Sequence, residues 1–342
     1  MTNFIETKPK NETLWRSIIL FGRNVASYKF ALGKALLELA GHEKTFIKLD
    51  ELAEPFSRNL VDHMRVNDKQ GTFSSSKFLN TCRDYDNGQI SKDELITKTV
   101  ALGFNNVIDA FHIVGRGEVP KRFFIDERKD RDGITITDDL LELKESIQFT
   151  NFPFEVEARW RLVETAWSLN ISPALLEVKF DDRTNLLFTE SDLLKRVDIT
   201  SSRDSLNGYQ KGKCFYCFRD IVIDASDPDQ MADVDHFFPH TLLQAQPELN
   251  LNGIWNLVLS CKECNRGEDG KFASVPELHL LKRLFTRNEF FIQSHHPLRE
   301  TLINQTGQTN KDRIEFLQNV DSVAIGSLIH RWKSKFEFDI AF

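Results

Sequence analysis

Lys213-Cys-Phe-Tyr-Cys217, then Asp233-Val-Asp-His-Phe-Phe-Pro-His240, then Trp255-Asn-Leu-Val-Leu-Ser-Cys-Lys-Glu-Cys-Asn-Arg266, are the three stretches on which the reading of this chain turns. Each Cys-x-x-Cys makes a tight knuckle that aims two sulfurs at one point, and two knuckles supply a tetrahedral four-thiolate site. Cys214, Cys217, Cys261 and Cys264 are therefore expected to bind Zn²⁺. Four protein ligands leave no coordination position for a substrate, so this zinc is expected to be structural. In a cytosolic chain of this size such spacing reads as metal binding before disulfide. The fifth cysteine, Cys82, stands alone in a helical pattern and is expected to be a buried, small apolar side chain.

Outward from these stretches, 342 residues allow one large domain or two to three ordinary ones. The 28 phenylalanines supply a core of useful size. A soft boundary falls near residue 200, at Thr200-Ser-Ser-Arg-Asp204. It separates a helix-rich recognition or regulatory domain, residues 1–200, from a second domain, residues 201–342. In the first, Leu14, Ile18, Ile19, Val25, Ala35 and Leu39 predict one long helix over 14–40. Residues 47–66 and 74–115 read as helical, with breaks near Gly71, Gly88 and Gly103. Arg122–Thr137 reads as a β-hairpin with Asp132-Gly133 at its tip. Residues 153–169 return to a helix, with Val156, Trp160, Val163 and Trp167 on one face and Glu157, Arg161 and Glu164 off it. Leu175–Phe180 and Asn185–Phe188 suggest a second hairpin around Asp181-Asp182.

Several function classes drop out. No run of about 18 apolar residues predicts a membrane span. The N-terminus carries Lys8, Lys10 and Arg16 but no apolar stretch of signal-peptide length, so a cytoplasmic location is expected. The net charge of −7 argues mildly against broad coating of nucleic acid. Asp84–Glu94 mimics a calcium loop, but aligning Gly88 with the loop glycine puts Arg83 and Tyr85 where oxygen ligands belong. A polar turn capping a helix is expected there instead. A zinc nucleobase deaminase needs His-x-Glu and Pro-Cys-x-x-Cys; position 238 is Phe and neither pair follows a proline.

Taken together, Asp235-His236-x-x-Pro239, then Asn256, then Cys261-x-x-Cys264-Asn265 resemble the HNH endonuclease family, the ββα-metal or His-Me finger nucleases. The resemblance covers residues 206–272 and implies an α+β chain. A mainly helical N-terminal domain with β-hairpins would precede a zinc-stapled ββα-metal domain with a helical C-terminal extension. It implies that His236 is the general base, that Asp235 and Asn265 hold one catalytic divalent cation, and that Asn256 keeps the two strands and the catalytic loop in register. Many family members carry His at the last position; here it is Asn265, whose neutral oxygen suits a hard cation, Mg²⁺ or Mn²⁺. The implied activity is metal-dependent hydrolysis of DNA phosphodiester bonds, in bacterial restriction or anti-phage defence.

Chemistry supports the same roles. Phosphodiester cleavage needs an activated water and charge stabilisation at phosphorus. A neutral imidazole can accept the water proton near pH 7. Arg266, Lys271 and His240 are candidate substrate contacts, each against the plainer reading of a solvated or loop side chain. His295-His296-Pro297 is read as structural, and Trp255 and Phe237 as core of the small element. The acidic balance implies weak intrinsic DNA binding and a need for recruitment. An activating protein partner, or a second copy making a homo-oligomer, would meet that need, and RNA stays open as substrate. The rival reading is a non-catalytic zinc-ribbon module that binds nucleic acid or protein.

Overall fold

The computed structural model describes residues 9–22, 24–41, 44–73, 76–173, 176–190, 196–224, 231–294 and 296–335. The chain is α+β: helices dominate and the sheets are small. It divides into two compact units, residues 9–171 and the remainder from Ser172. The division falls ahead of residue 200 because the intervening segment packs with later residues. Val178 N donates to Thr301 Oγ1 at 2.9 Å, and Thr301 Oγ1 donates to Leu176 O at 3.2 Å.

The first unit runs α1 (Asn11–Phe21), α2 (Tyr28–Leu39), β1 (Phe46–Lys48), α3 (Leu49–Val66), α4 (Lys77–Asp86), α5 (Lys92–Lys98), α6 (Val107–Ala110), β2 (Ile113–Val114), β3 (Gly117–Glu118), β4 (Phe124–Asp126), β5 (Gly133–Ile136), α7 (Asp138–Lys144) and α8 (Phe152–Ser168). The expected hairpin is β4–β5, with Phe124 opposite Ile136. β1 adds to its other edge, antiparallel to β5. The expected helix over 14–40 is instead two. Gly22 ends α1 in an extended conformation, and the chain then turns to pair Ala26 with Gly71 and Ser27 N with Gln70 O at 3.0 Å. The calcium-like stretch is a turn into α5, where Ser91 Oγ accepts from Glu94 N at 3.2 Å and Glu94 Oε2 accepts from Ser91 N at 3.1 Å.

The phenylalanines account for this unit's core: Phe30, Phe56, Phe104, Phe111, Phe123, Phe124 and Phe152 are all buried, packed with Trp15 and Trp160. Each such ring contributes about 1.5–3 kcal/mol on burial. Cys82 lies among them, fully buried, its thiol pushed up to about 12 by desolvation. On α8 the apolar stripe Val156, Trp160, Val163 and Trp167 is buried, but Glu164 is not on a solvated face. It meets His63 Nδ1 at 2.8 Å, while Glu157 meets Nε2 at 3.0 Å and the imidazole stacks on Trp160. Gln70 closes the network, donating to Glu164 and accepting from the Trp160 indole. Charge on a helix reads as exposed unless its partner, here on α3, is also known.

His112 gives this unit a pH signature. It is buried, accepts from Phe123 N at 2.9 Å, and is pushed down to about 4, mainly by desolvation. The folded pKa lies below the unfolded value, near 6.5. The stabilisation is therefore present in full above the unfolded value and is lost as pH falls through the folded one. Urea titrations from pH 7 to 4 should show this unit losing about 3 kcal/mol. In His112→Gln that slope should be largely absent, and an unchanged slope would assign it to other groups.

The second unit contains β6 (Lys179–Asp181), β7 (Leu186–Glu190), β8 (Arg196–Ser201), α9 (Ser202–Asn207), β9 (Asp233–His236), β10 (Leu257–Ser260), α10 (Lys262–Arg266), β11 (Val275–Pro276), α11 (Leu278–Gln293), α12 (Leu298–Thr306), α13 (Asn310–Leu328) and β12 (Arg331–Trp332). β6 and β7 form the second hairpin within the described residues, and β8 extends it to three strands. β9 and β10 pair antiparallel, His236 opposite Leu257 and Asp233 opposite Ser260, and α10 follows directly. Every residue of β10 is buried. Arg287 on α11 helps fix this element: its buried guanidinium donates to the carbonyls of Trp255 and Leu257, on either side of Asn256. His296 is buried and structural, accepting from Leu298 N at 3.0 Å, whereas His295 lies outside the described residues. Among the described residues no helix is long and apolar enough to cross a membrane.

Candidate functional site

The first knuckle closes on itself: Cys214 N donates to Arg219 O at 2.7 Å, and Phe218 N donates to Cys214 O at 3.0 Å with Phe218 at φ 64°. Phe215 N donates to Leu259 O at 2.9 Å, which ties the knuckle to β10. The second knuckle begins where β10 ends, with Cys261 at the N-terminal boundary of α10. The four sulfurs lie within 4.8 Å of one another, with Cys217 and Cys261 3.8 Å apart. A tetrahedron of ~2.3 Å metal–sulfur bonds needs sulfurs about 3.8 Å apart. The cluster can thus hold a structural metal such as zinc. Hydrogen bonds from the other three thiols hold Cys261 well below the usual thiol range, favouring the thiolate that binds metal.

Between the knuckles, strand alternation sends Asp233 and Asp235 to one face of β9 and Val234 and His236 to the other. On the His236 face, Nε2 meets Asn252 Oδ1 at 2.9 Å, the His240 ring lies edge-on with centroids 4.2 Å apart, and Phe180 closes one side. Desolvation first, and the neighbouring His240, push His236 down to about 4. The ring is therefore neutral at pH 7, with one nitrogen unprotonated. His240 itself is exposed.

On the other face Asp235 is buried. Tyr216 donates its phenol to Oδ2 at 2.5 Å, and the Lys271 ammonium stands 3.4 Å from the same oxygen. Lys271, expected as a phosphate contact, is wholly buried; it donates to the carbonyls of His236 at 3.0 Å and Phe272 at 3.1 Å. Burial pushes Asp235 up and Lys271 down, and the charge of each opposes the shift of the other. Asp233 serves α10. Asn265 Nδ2 donates to its Oδ2 at 3.0 Å, and Arg266 reaches both carboxylate oxygens through Nε at 3.0 Å and Nη2 at 3.2 Å. That bond fixes the Asn265 amide with its nitrogen toward Asp233, leaving the carbonyl oxygen for another partner.

Asn256 spans the turn between the strands. Its Oδ1 accepts from Phe238 N at 2.8 Å, and its Nδ2 donates to Phe238 O at 3.0 Å and Leu251 O at 2.9 Å. Asn256→Ala would leave three buried backbone groups unpaired. It is expected to destabilise this unit by about 2–4 kcal/mol. A shift in denaturant midpoint measures this, and a change below about 0.5 kcal/mol would mean the turn holds without it.

The structure thus groups His236 with His240, Asp235 with Lys271, and Asn265 with Arg266 through Asp233, while Asn256 braces the loop. Sequence reasoning passed over Tyr216, Asp233 and Asn252. Asp233 was signalled by its two-residue spacing from Asp235 on a strand; Tyr216 and Asn252 carry no local signal. No protein-family model matches the chain, and no curated protein or solved structure was found to match it.

Proposed function

We propose that this protein is a metal-dependent endonuclease of the HNH type that hydrolyses DNA phosphodiester bonds. What supports it above all is one small strand–strand–helix element, adjoining a four-cysteine cluster, that carries a neutral His236, the Asp233 and Asp235 carboxylates and Asn265. His236 accepts the proton of the attacking water, and Asn252 and His240 set its ring orientation. Asn265 and Asp235 would supply hard oxygen donors to Mg²⁺ or Mn²⁺: the Asn265 carbonyl oxygen is turned away from Asp233, and the cation would take over the Asp235 charge from the Lys271 ammonium. When bound, such a cation would offset negative charge developing on the phosphate and on the leaving oxygen. Arg266 and His240 are the exposed groups beside this element and serve as phosphate contacts. Zn²⁺ on the four thiolates is structural.

A bacterial restriction or anti-phage role, in the cytoplasm, follows from the same reading. Residues 9–171 would then restrain the nuclease or couple it to a recruiting partner or second copy; brisk, unselective cleavage by the full chain alone would contradict this.

One observation favours the rival, a non-catalytic zinc module: Asp235 already has a phenol and an ammonium as partners. Incubating the purified chain with supercoiled plasmid, linear duplex, single-stranded DNA and RNA, each with Mg²⁺, Mn²⁺ or neither, separates the two. The nuclease cleaves at least one substrate only with added cation, whereas the module cleaves none.

A further inference from the structure

Phe272 is an anomaly at the edge of this element. Its backbone φ is 44°, in the left-handed region, where a bulky side chain is an outlier and glycine is favoured. Such strain persists only where surrounding structure imposes it. Here Phe272 N donates to Asn265 O at 2.9 Å, and Phe272 O accepts from Lys271 Nζ, the ammonium that also holds the carbonyl of His236. The backbone of Phe272 is thus pinned to two residues of the candidate site. Its side chain gains little from folding, since the residue is 56% exposed, unlike the buried phenylalanines that make the cores. An aromatic residue on a strained, doubly hydrogen-bonded backbone beside Asn265, with more than half its surface in solvent, is poorly explained by packing.

We propose that Phe272 is a stacking platform for an unpaired nucleobase of the substrate strand, presented beside Asn265. The inference rests on the nucleic-acid reading above and adds to it a substrate class: DNA with a base out of its stack, either single-stranded or locally opened. Stacking fits because every base presents an apolar π face and needs no matching hydrogen bonds. The two backbone hydrogen bonds fix where the ring is presented, which lowers the ordering cost when a base lands on it.

The test uses the full-length chain without added Mg²⁺ or Mn²⁺, so that binding is read without cleavage. The probe is a single-stranded oligodeoxythymidine carrying one 2-aminopurine, whose fluorescence is quenched on stacking, beside a fully paired duplex of matching length. Wild type is expected to quench the single-stranded probe. Phe272→Ala should bind it roughly five- to hundredfold more weakly and lose the quench. Phe272→Trp should retain both, and duplex affinity should be the same in all three proteins. Phe272→Gly should lose the quench as Ala does, yet melt at or above the wild-type midpoint, because it relieves the backbone strain. A lower midpoint for Phe272→Gly would make the ring a packing group and overturn the proposal. So would unchanged single-strand affinity in Phe272→Ala, or an equal loss on duplex; either leaves the nuclease reading standing. If wild type binds neither form of DNA, the nucleic-acid reading falls, and this inference with it.

Discussion

Replacing Cys214 with serine is expected to release the metal and unfold the second unit while the first stays folded. Metal bound by four thiolates contributes on the order of 10–16 kcal/mol in small domains. That is comparable to the whole stability of an ordinary domain, about 5–15 kcal/mol. Cys214 is fully buried and its backbone closes the first knuckle, so a serine there brings a poor ligand and keeps the cost of crowding three other sulfurs together. The knuckles anchor the end of β10, because Phe215 bonds to Leu259 and Cys261 stands between β10 and α10. The core of residues 9–171 is separate and built from its own helices. Wild type should therefore contain one zinc per chain and show both units folded. Cys214→Ser should contain none and show only the transition of the first unit. A zinc-free wild type with normal stability would remove the structural metal from the account.

His236→Ala is the complementary case, removing chemistry without structure. General-base catalysis contributes about 10²–10⁴ in rate, or roughly 3–5 kcal/mol of barrier. His236 is only partly buried, its ring bonds to one side chain, Asn252, and it is not among the four sulfur ligands. Truncation should cost cleavage at least about a hundredfold while zinc content and melting stay near wild type. A variant that lost zinc or unfolded would instead place His236 in the scaffold.

The local features of the fold were legible where spacing carries the information. Two Cys-x-x-Cys pairs predict a four-sulfur cluster whatever lies between them, and the hairpin at 122–137 is announced by Asp132-Gly133 between alternating apolar residues. The break between α1 and α2 is marked locally only by Gly22; the pairing with Gln70 and Gly71 that fixes it lies far along the chain. Glu164 looked exposed for the same reason: its partner His63 is on another helix. At the site, Asp235 and His236 are neighbours in sequence, one expected as a cation ligand and the other as the general base. Strand alternation sends them to opposite faces, and the Lys271 ammonium beside Asp235 comes from beyond α10, at a distance no local pattern encodes.

Whether His236 performs metal-dependent cleavage is read from the relaxation of supercoiled plasmid with Mg²⁺ or Mn²⁺, using wild type and His236→Ala preparations of equal zinc content. Cleavage by wild type that needs the added cation, and its loss by at least about a hundredfold in His236→Ala, is the predicted result. Equal cleavage by the two proteins, or none by wild type with either cation, would contradict it.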